Sequence, residues 1–316
     1  MISLRPHLCS FSSFALALLL FTTGCERGRT AGGSSPTAPQ RHLYVTVAQP
    51  PTLLVYEDGA GGDQTPLAVI KENSPDRPID CATNMIGEVY VANQNGNVRV
   101  YGASRDQQYS LIRSYEGPHT RLGHPVAIAV NKAGSFYIAD AADGHGRVEW
   151  FSGGANEDIL PDKVLEGPHT GISAPGGVAI DGSGRTFVTD RASNRILVFD
   201  PNARDDATPL AVIDGVHSPG RITVDDLLNV YVVNTSDNSI MVFDSSGPEG
   251  WTATPPLTSK SLHATAAVAI DATGQIAVGA IGGVAFFAGD AHGDADPIVS
   301  LHGSPSPLNP SGVCFH

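Results

Sequence analysis

Pro175-Gly-Gly-Val-Ala-Ile-Asp-Gly-Ser-Gly-Arg-Thr-Phe-Val-Thr-Asp-Arg-Ala-Ser-Asn-Arg-Ile-Leu-Val-Phe199 is the stretch that decides the fold. Three short runs rich in β-branched and aromatic residues are separated by Asp-Gly-Ser-Gly and by Asp-Arg-Ala-Ser-Asn. Runs this short, each ending at turn-forming residues, read as strands. The pattern is not local to this stretch. An aromatic followed by small or β-branched residues recurs at Tyr44-Val-Thr-Val, Tyr90-Val-Ala-Asn, Tyr137-Ile-Ala-Asp, Phe187-Val-Thr-Asp and Tyr231-Val-Val-Asn, with a degenerate sixth at Ala277-Val-Gly-Ala. A period of about 46 residues marks a repeat architecture, so the repeat is established before any single element.

Each copy carries a further strand ending in an aromatic: Leu53-Leu-Val-Tyr56, Val98-Arg-Val-Tyr101, Val148-Glu-Trp-Phe151, Ile196-Leu-Val-Phe199, Ile240-Met-Val-Phe243 and Val284-Ala-Phe-Phe287. Another run follows, clearest in Thr65-Pro-Leu-Ala-Val-Ile70 and its near duplicate Thr208-Pro-Leu-Ala-Val-Ile213. Each next unit then opens with Pro and a small apolar strand, as in Pro125-Val-Ala-Ile-Ala-Val130 and Pro219-Gly-Arg-Ile-Thr-Val224. Four strands in each of six units predict an all-β, six-bladed β-propeller over residues 41–316. Small residues such as Ala127, Ala129, Gly177 and Ala179 suit the crowded wall near the axis, and aromatics farther out fill the widening wedges. An α/β barrel needs alternating helical segments, and none appears. The array begins at a second strand, around Tyr44, and ends with an unpartnered first strand from Pro310, so the C-terminal strand is expected to join the N-terminal blade and remove the open edges.

The string at 175–199 resembles an NHL repeat, whose pattern is Pro-x-Gly-Ile-Ala-Val-Asp, Gly-x-Ile-Tyr-Val-Ala-Asp and Asn-Arg-Ile-x-Val-Phe. The last copy departs most, with Ala277 in the aromatic position and Thr265 in the proline position. This resemblance implies a propeller but no single activity, because such folds host enzymes, sensors and scaffolds alike. Peptidyl-hydroxyglycine lyases, virginiamycin B lyases and gluconolactonase-like propellers are similar in repeat pattern. They imply an alternative, a metal-assisted lyase or lactonase with its site at the channel mouth.

Composition agrees with a turn-rich globular protein. Gly (35) and Pro (23) together are about 18% of the 316 residues against a usual ~12%, and charged residues are 16% against a usual ~25%. The net charge of −13 repels phosphate backbones and excludes a nucleic-acid role. Arg5 and His7 precede an apolar run at 11–21, shorter than the ~20 residues a membrane-crossing helix needs, which reads as a secretory leader over 1–24. Thr22-Thr-Gly-Cys25 resembles a bacterial lipobox, which implies acylation at Cys25; a conventional signal peptide with an incidental cysteine is the other reading. The Gly/Ser/Pro-rich segment 25–40 reads as a flexible tether. The expected protein is therefore exported and held on the membrane through a lipid anchor alone, with an envelope protein, peptide or glycan as partner.

By propeller geometry the inter-blade connectors and the loops between second and third strands share one face. Histidines concentrate there: Glu116-Gly-Pro-His-Thr120 and Glu166-Gly-Pro-His-Thr170, placing His119 and His169, together with His124, His217, His263 and His302, and Asp140-Ala-Ala-Asp-Gly-His145. Imidazoles from different blades could converge on a divalent ion, Zn²⁺ or Ca²⁺; equally, a repeated turn is one structural connector used twice. Asp140 and Asp190, with Asn93 and Asn234, end the aromatic strands, as ligands or as caps of the following turn. No catalytic residue is assigned. Cys81 and Cys314 lie on first strands of adjacent blades at positions offset by one, so both face the shared gap or both face away; the first case permits a disulfide.

Overall fold

The computed structural model describes residues 41–316 except 73–75, 105, 107, 142–143, 155–156, 248–249 and 304–306. Cys25, the leader over 1–24 and the tether over 25–40 lie outside the described residues. The chain forms six antiparallel four-stranded blades around one axis, a six-bladed β-propeller. Written from the axis outward, blade II is Pro78–Thr83, Val89–Asn93, Asn97–Ala103 and Tyr109–Glu116. Blade III is Pro125–Val130, Phe136–Asp140, Arg147–Phe151 and Lys163–Leu165. Blade IV is Pro175–Ile180, Thr186–Asp190, Arg195–Phe199 and Ala211–Ile213. Blade V is Pro219–Val224, Val230–Asn234, Ser239–Gly247 and Leu257–Thr258, and blade VI is Ala267–Ile270, Ile276–Ala280, Gly283–Phe287 and Val299–Leu301.

Blade I is the composite one. Its inner strand is Pro310–Phe315, and His42–Ala48, Pro51–Glu57 and Ala68–Lys71 follow outward. Tyr44 pairs with Cys314 across the joint, and His42 and His316 exchange both backbone hydrogen bonds. Cys314 is joined to Cys81 of blade II by a disulfide, with Cα atoms 5.9 Å apart. The Tyr44 and Tyr109 hydroxyls meet at 3.1 Å across the same gap.

The core is a set of inter-blade wedges. Between blades II and III, Phe136 stacks on Phe151 at 4.8 Å and receives Tyr115 edge-on at 4.7 Å. Aromatics occupy these positions because the gap between two flat sheets widens away from the axis, where only a ring is large enough to exclude water. On the face where inner and second strands join, a carboxylate or amide at the strand end accepts from the turn. Asn131, Asp181, Asp225 and Asp271 each hold two backbone N–H groups at 2.8–3.0 Å. This is called the turn face below, and the opposite one the connector face.

A feature absent from the simple four-strand picture crosses between blades. In four places the segment leading from a third to an outer strand climbs the outer edge of the preceding blade. Gly62 pairs in parallel with Leu301, Asp205 with Leu165, and Gly293–Asp294 with Leu257–Thr258, while Glu157 N donates to Ser114 O at 2.7 Å. These straps cover edges that would otherwise present unpaired N–H and C=O groups.

Candidate functional site

The two Gly-Pro-His-Thr turns are single 3₁₀ turns on the connector face, Pro118–Thr120 and Pro168–Thr170, with His119 and His169 exposed and Thr120 and Thr170 buried. Each is gripped by a strap. Asp158 Oδ1 accepts from His119 N (2.6 Å) and Thr120 N (3.2 Å), and its Oδ2 meets His119 Nδ1 at 2.7 Å. Asp206 repeats the contact, with His169 N at 2.6 Å and Nδ1 at 2.5 Å. The His169 ring and backbone hold the Asp206 carboxyl below the usual carboxylate range. Gly117 precedes the first turn because the aspartate leaves no room: a Cβ there would stand 2.7 Å from Asp158 Oδ1, and its φ is 122°.

Asp140 and Asp190 are fully buried and turned onto backbone. Asp190 accepts from Ser173 N (2.9 Å), Ala174 N (2.6 Å), Ser193 N (2.9 Å) and Ser193 Oγ (2.7 Å). Asp140 accepts from Gly123 N (2.8 Å) and His124 N (3.1 Å), and Asn234 accepts from His217 N (3.0 Å). These side chains tie the loop after the second strand to the connector entering the same blade. His124, His145, His217, His263 and His302 are exposed, each on its own loop. Among the described residues, no three His, Cys, Asp or Glu side chains gather in a metal-holding group. Among the described residues, the histidines of the connector face are therefore not brought together into a metal-holding group.

At the axis the inner strands bring together a pair that the repeat does not share. The third residue of each inner segment is Ala127, Gly177, Ala267 or Gly312 in four blades, but Asp80 in blade II and Arg221 in blade V. Blades II and V are opposite, and Arg221 Nε reaches Asp80 Oδ2 at 3.2 Å. The same guanidinium donates to Ile79 O (2.8 Å) and Gly176 O (3.0 Å), and Asp80 also accepts from Ile128 N (3.1 Å). A Cβ at Gly312 would stand 2.7 Å from Asp80 Cα, so the small residues are what admit the pair. Burial holds the Asp80 carboxyl above the usual range despite Arg221. Arg191, donating to Pro219 O at 3.3 Å, is pushed down by burial and by the charge of Arg221. Beneath the pair, a cavity of about 200 Å³ runs between the inner strands toward Thr83, Val130, Ile270 and Phe315. The axial carboxylate is thus engaged by an arginine and by backbone.

Away from the axis, the buried carboxyls Glu149 and Glu72 are both raised above the usual carboxylate range. Glu149, beside Arg147 in the third strand of blade III, is pushed up to about 8 by burial and by Asp140, with one oxygen buried and without a hydrogen bond. Glu72 lies 3.6 Å from Arg99 and is pushed up to about 6 by burial. On the turn face, a groove of about 630 Å³ between blades V and VI is lined by Leu227, Tyr231, Asp244, Pro255 and His292.

Three features escaped the sequence reading. The Asp80–Arg221 pair was visible only as two charges at a position where the other blades carry Ala or Gly. The strap aspartates had a signal of their own, the recurrence of Asp-x-x-Pro at 63–66, 158–161, 206–209 and 294–297. The pairing of Glu149 with Arg147 showed only as a carboxylate at a third-strand position that is Leu54, Leu197, Met241 or Ala285 in four other blades and Arg99 in the fifth.

No family model matches the chain, and no curated protein matches it. Solved structures do resemble it. A protein of unknown function from Bacteroides caccae aligns at 10% identity over 87% of this chain and 98% of its own, with a TM-score of 0.65. A periplasmic gluconolactonase from Pseudomonas aeruginosa aligns at 15% identity over 76% of this chain and 79% of its own, with a TM-score of 0.54. A functionally unknown protein from Desulfotomaculum acetoxidans aligns at 15% identity over 78% and 74%, with a TM-score of 0.53. At these identities the likeness is one of fold.

Proposed function

We infer that the chain is an exported, lipid-anchored NHL-type propeller whose connector face is a rigid binding surface for an envelope protein, peptide or glycan. The observation that carries this reading is the place where the chain enters the disc. His42 begins its strand beside His316, at the turn-face end of blade I, so the described chain enters the disc on the face opposite the connectors and leaves the connector face uncrossed by that entry. The connector face is built from turns pinned by Asp140, Asp158, Asp190 and Asp206, and a pre-ordered surface loses less entropy on binding. The metal-assisted lyase or lactonase reading asks for donors converging on the axis. Here Asp80 is taken by Arg221, and the histidines stand apart.

A photo-crosslinking residue at His119 or His169 in the native host, compared with one at Leu227 on the turn face, tests the surface. A discrete adduct from the two connector positions, with none from Leu227, is the expected result. Replacing Cys25 with Ala should move the protein from the membrane to the soluble fraction. Adducts confined to Leu227, or unchanged fractionation, would remove the corresponding half of the reading.

A further inference from the structure

On the turn face, five blades use one position in the same way. Asn84, Asn131, Asp181, Asp225 and Asp271 follow the inner strand, and each side chain accepts backbone N–H groups of the turn that leads to the second strand. Blade I has no such turn, because its inner strand Pro310–Phe315 and its second strand His42–Ala48 are far apart in sequence. The position there belongs to His316, and the residue opposite it is His42.

The ladder sets these two side chains next to each other. His42 N donates to His316 O at 3.2 Å, and His316 N donates to His42 O at 3.1 Å. Residues that exchange both bonds in an antiparallel pair stand about 5.5 Å apart at Cα, with side chains on one face of the sheet. Tyr44 and Cys314, two residues away, share that face, and Cys314 is bonded to Cys81, so both imidazoles look into the gap between blades I and II. There they line a groove of about 490 Å³ with Tyr44, Gly87, Glu88 and Tyr109. Gly87 keeps the room open: a Cβ there would stand 3.0 Å from His316 Nε2. His42 is buried and His316 half-buried, and among the described residues neither ring has a hydrogen-bond partner. Burial and His316 hold the His42 ring below the usual histidine range, so it is neutral with a free lone pair at neutral pH. Glu57, opposite His42 on the other side of its strand, and Asp58 make the surroundings negative.

We propose that His42 and His316 are a two-imidazole site for a late first-row divalent cation, one that clips the inner strand of blade I to its second strand. Neutral imidazole is a donor that Cu²⁺, Ni²⁺ and Zn²⁺ favour, and metal–nitrogen bonds of about 2.0–2.1 Å let one ion bridge rings carried at this spacing. Cu²⁺ is the tightest binder in the usual order of divalent affinities. Glu88 does not complete the site, since its carboxylate is held by Arg113, Asn84 and Tyr90. Water fills the remaining positions, which leaves them open to a further ligand. Mg²⁺ and Ca²⁺ prefer sets of oxygens and do not suit two ring nitrogens. The two histidines meet only when the ring is closed, so the ion binds the folded chain and stabilises it.

Cu²⁺ added to the full chain tests this, with Cys9→Ala and Cys25→Ala in every sample so that the remaining cysteines, Cys81 and Cys314, are bonded to each other and no thiol competes. The first equivalent should give an electron paramagnetic resonance spectrum with nitrogen couplings and should raise the melting temperature. His316→Gln and His42→Gln should each weaken that equivalent at least about tenfold, since even the loss of a residue that only orients a ligand costs about 10–100-fold. Each should also abolish the rise in melting temperature. His292→Gln, at an exposed histidine of the turn-face groove between blades V and VI, should alter neither. Zn²⁺ should reproduce the stabilisation at higher concentration, and Mg²⁺ should not. His316 is half-buried at the strand end, so its variant keeps the fold, and an unchanged melting curve without metal checks this. A first equivalent held as tightly by His316→Gln as by the parent, or one that leaves the parent's melting temperature unmoved, overturns the proposal.

Discussion

Arg221 and Asp80 are the two charges nearest the axis, and each is the other's compensation. Removing the guanidinium alone strands a carboxylate among inner strands that cannot hydrate it well. Arg221→Ala should therefore destabilise the fold by roughly 3–5 kcal/mol, and the double variant with Asp80→Ala should lose less than Arg221→Ala alone, read by denaturant unfolding. Glu149 makes a different prediction, in pH. The folded chain holds its proton up to about 8, whereas an unfolded chain releases it near 4.5. Between those values the folded state binds more protons, so this group's contribution to stability is present at low pH and falls as pH rises through that window. Glu149→Gln should flatten the decline between pH 5 and 8 in unfolding experiments. A decline left unchanged would assign the slope elsewhere; Glu72, pushed up to about 6, supplies the lower part of it.

The straps are the elements that join blade to blade outside the ladders. Asp206 anchors one of them to the His169 turn, and Arg204 lies two residues earlier on an exposed stretch. Asp206→Ala should speed tryptic cleavage after Arg204 with little change in melting temperature, because the blade ladders are untouched. Equal cleavage in both proteins would show that the strap is held by its backbone pairing alone. The same elements show what a sequence read by periodicity can and cannot yield. Tyr90, Tyr137, Phe187 and Tyr231 recur because each fills one equivalent wedge, and that regularity made six blades and the composite blade I legible. The site was less so. Asp158 meets His119 across 39 residues and Asp80 meets Arg221 across the whole disc, distances that no spacing rule encodes. The recurrence of the connector histidines allowed two readings, converging ligands or one connector used twice; Asp158 and Asp206 hold the His119 and His169 turns in the same way, one strap-and-turn device used twice.

At the scale of the whole molecule, the ring is held at one seam, where strands from the two ends of the described chain meet. The Cys81–Cys314 bond spans 233 residues of sequence across it. Cross-linking so long a loop restricts the unfolded chain, and Cys81→Ser with Cys314→Ser should cost about 2–4 kcal/mol. Reduction of the parent should lower its melting temperature toward that of the double variant, and a reductant effect persisting in the double variant would point to another cause. The seam has a temporal meaning as well. Synthesis delivers Pro310–Phe315 after every other strand, so a nascent chain can assemble five blades while the sixth waits without its axial member. A product cut short before Pro310 is left with an unzipped disc, an exposed second strand at Tyr44 and a lone thiol at Cys81. Ring closure is thus late in synthesis, because the axial strand of blade I is made after every strand that it joins.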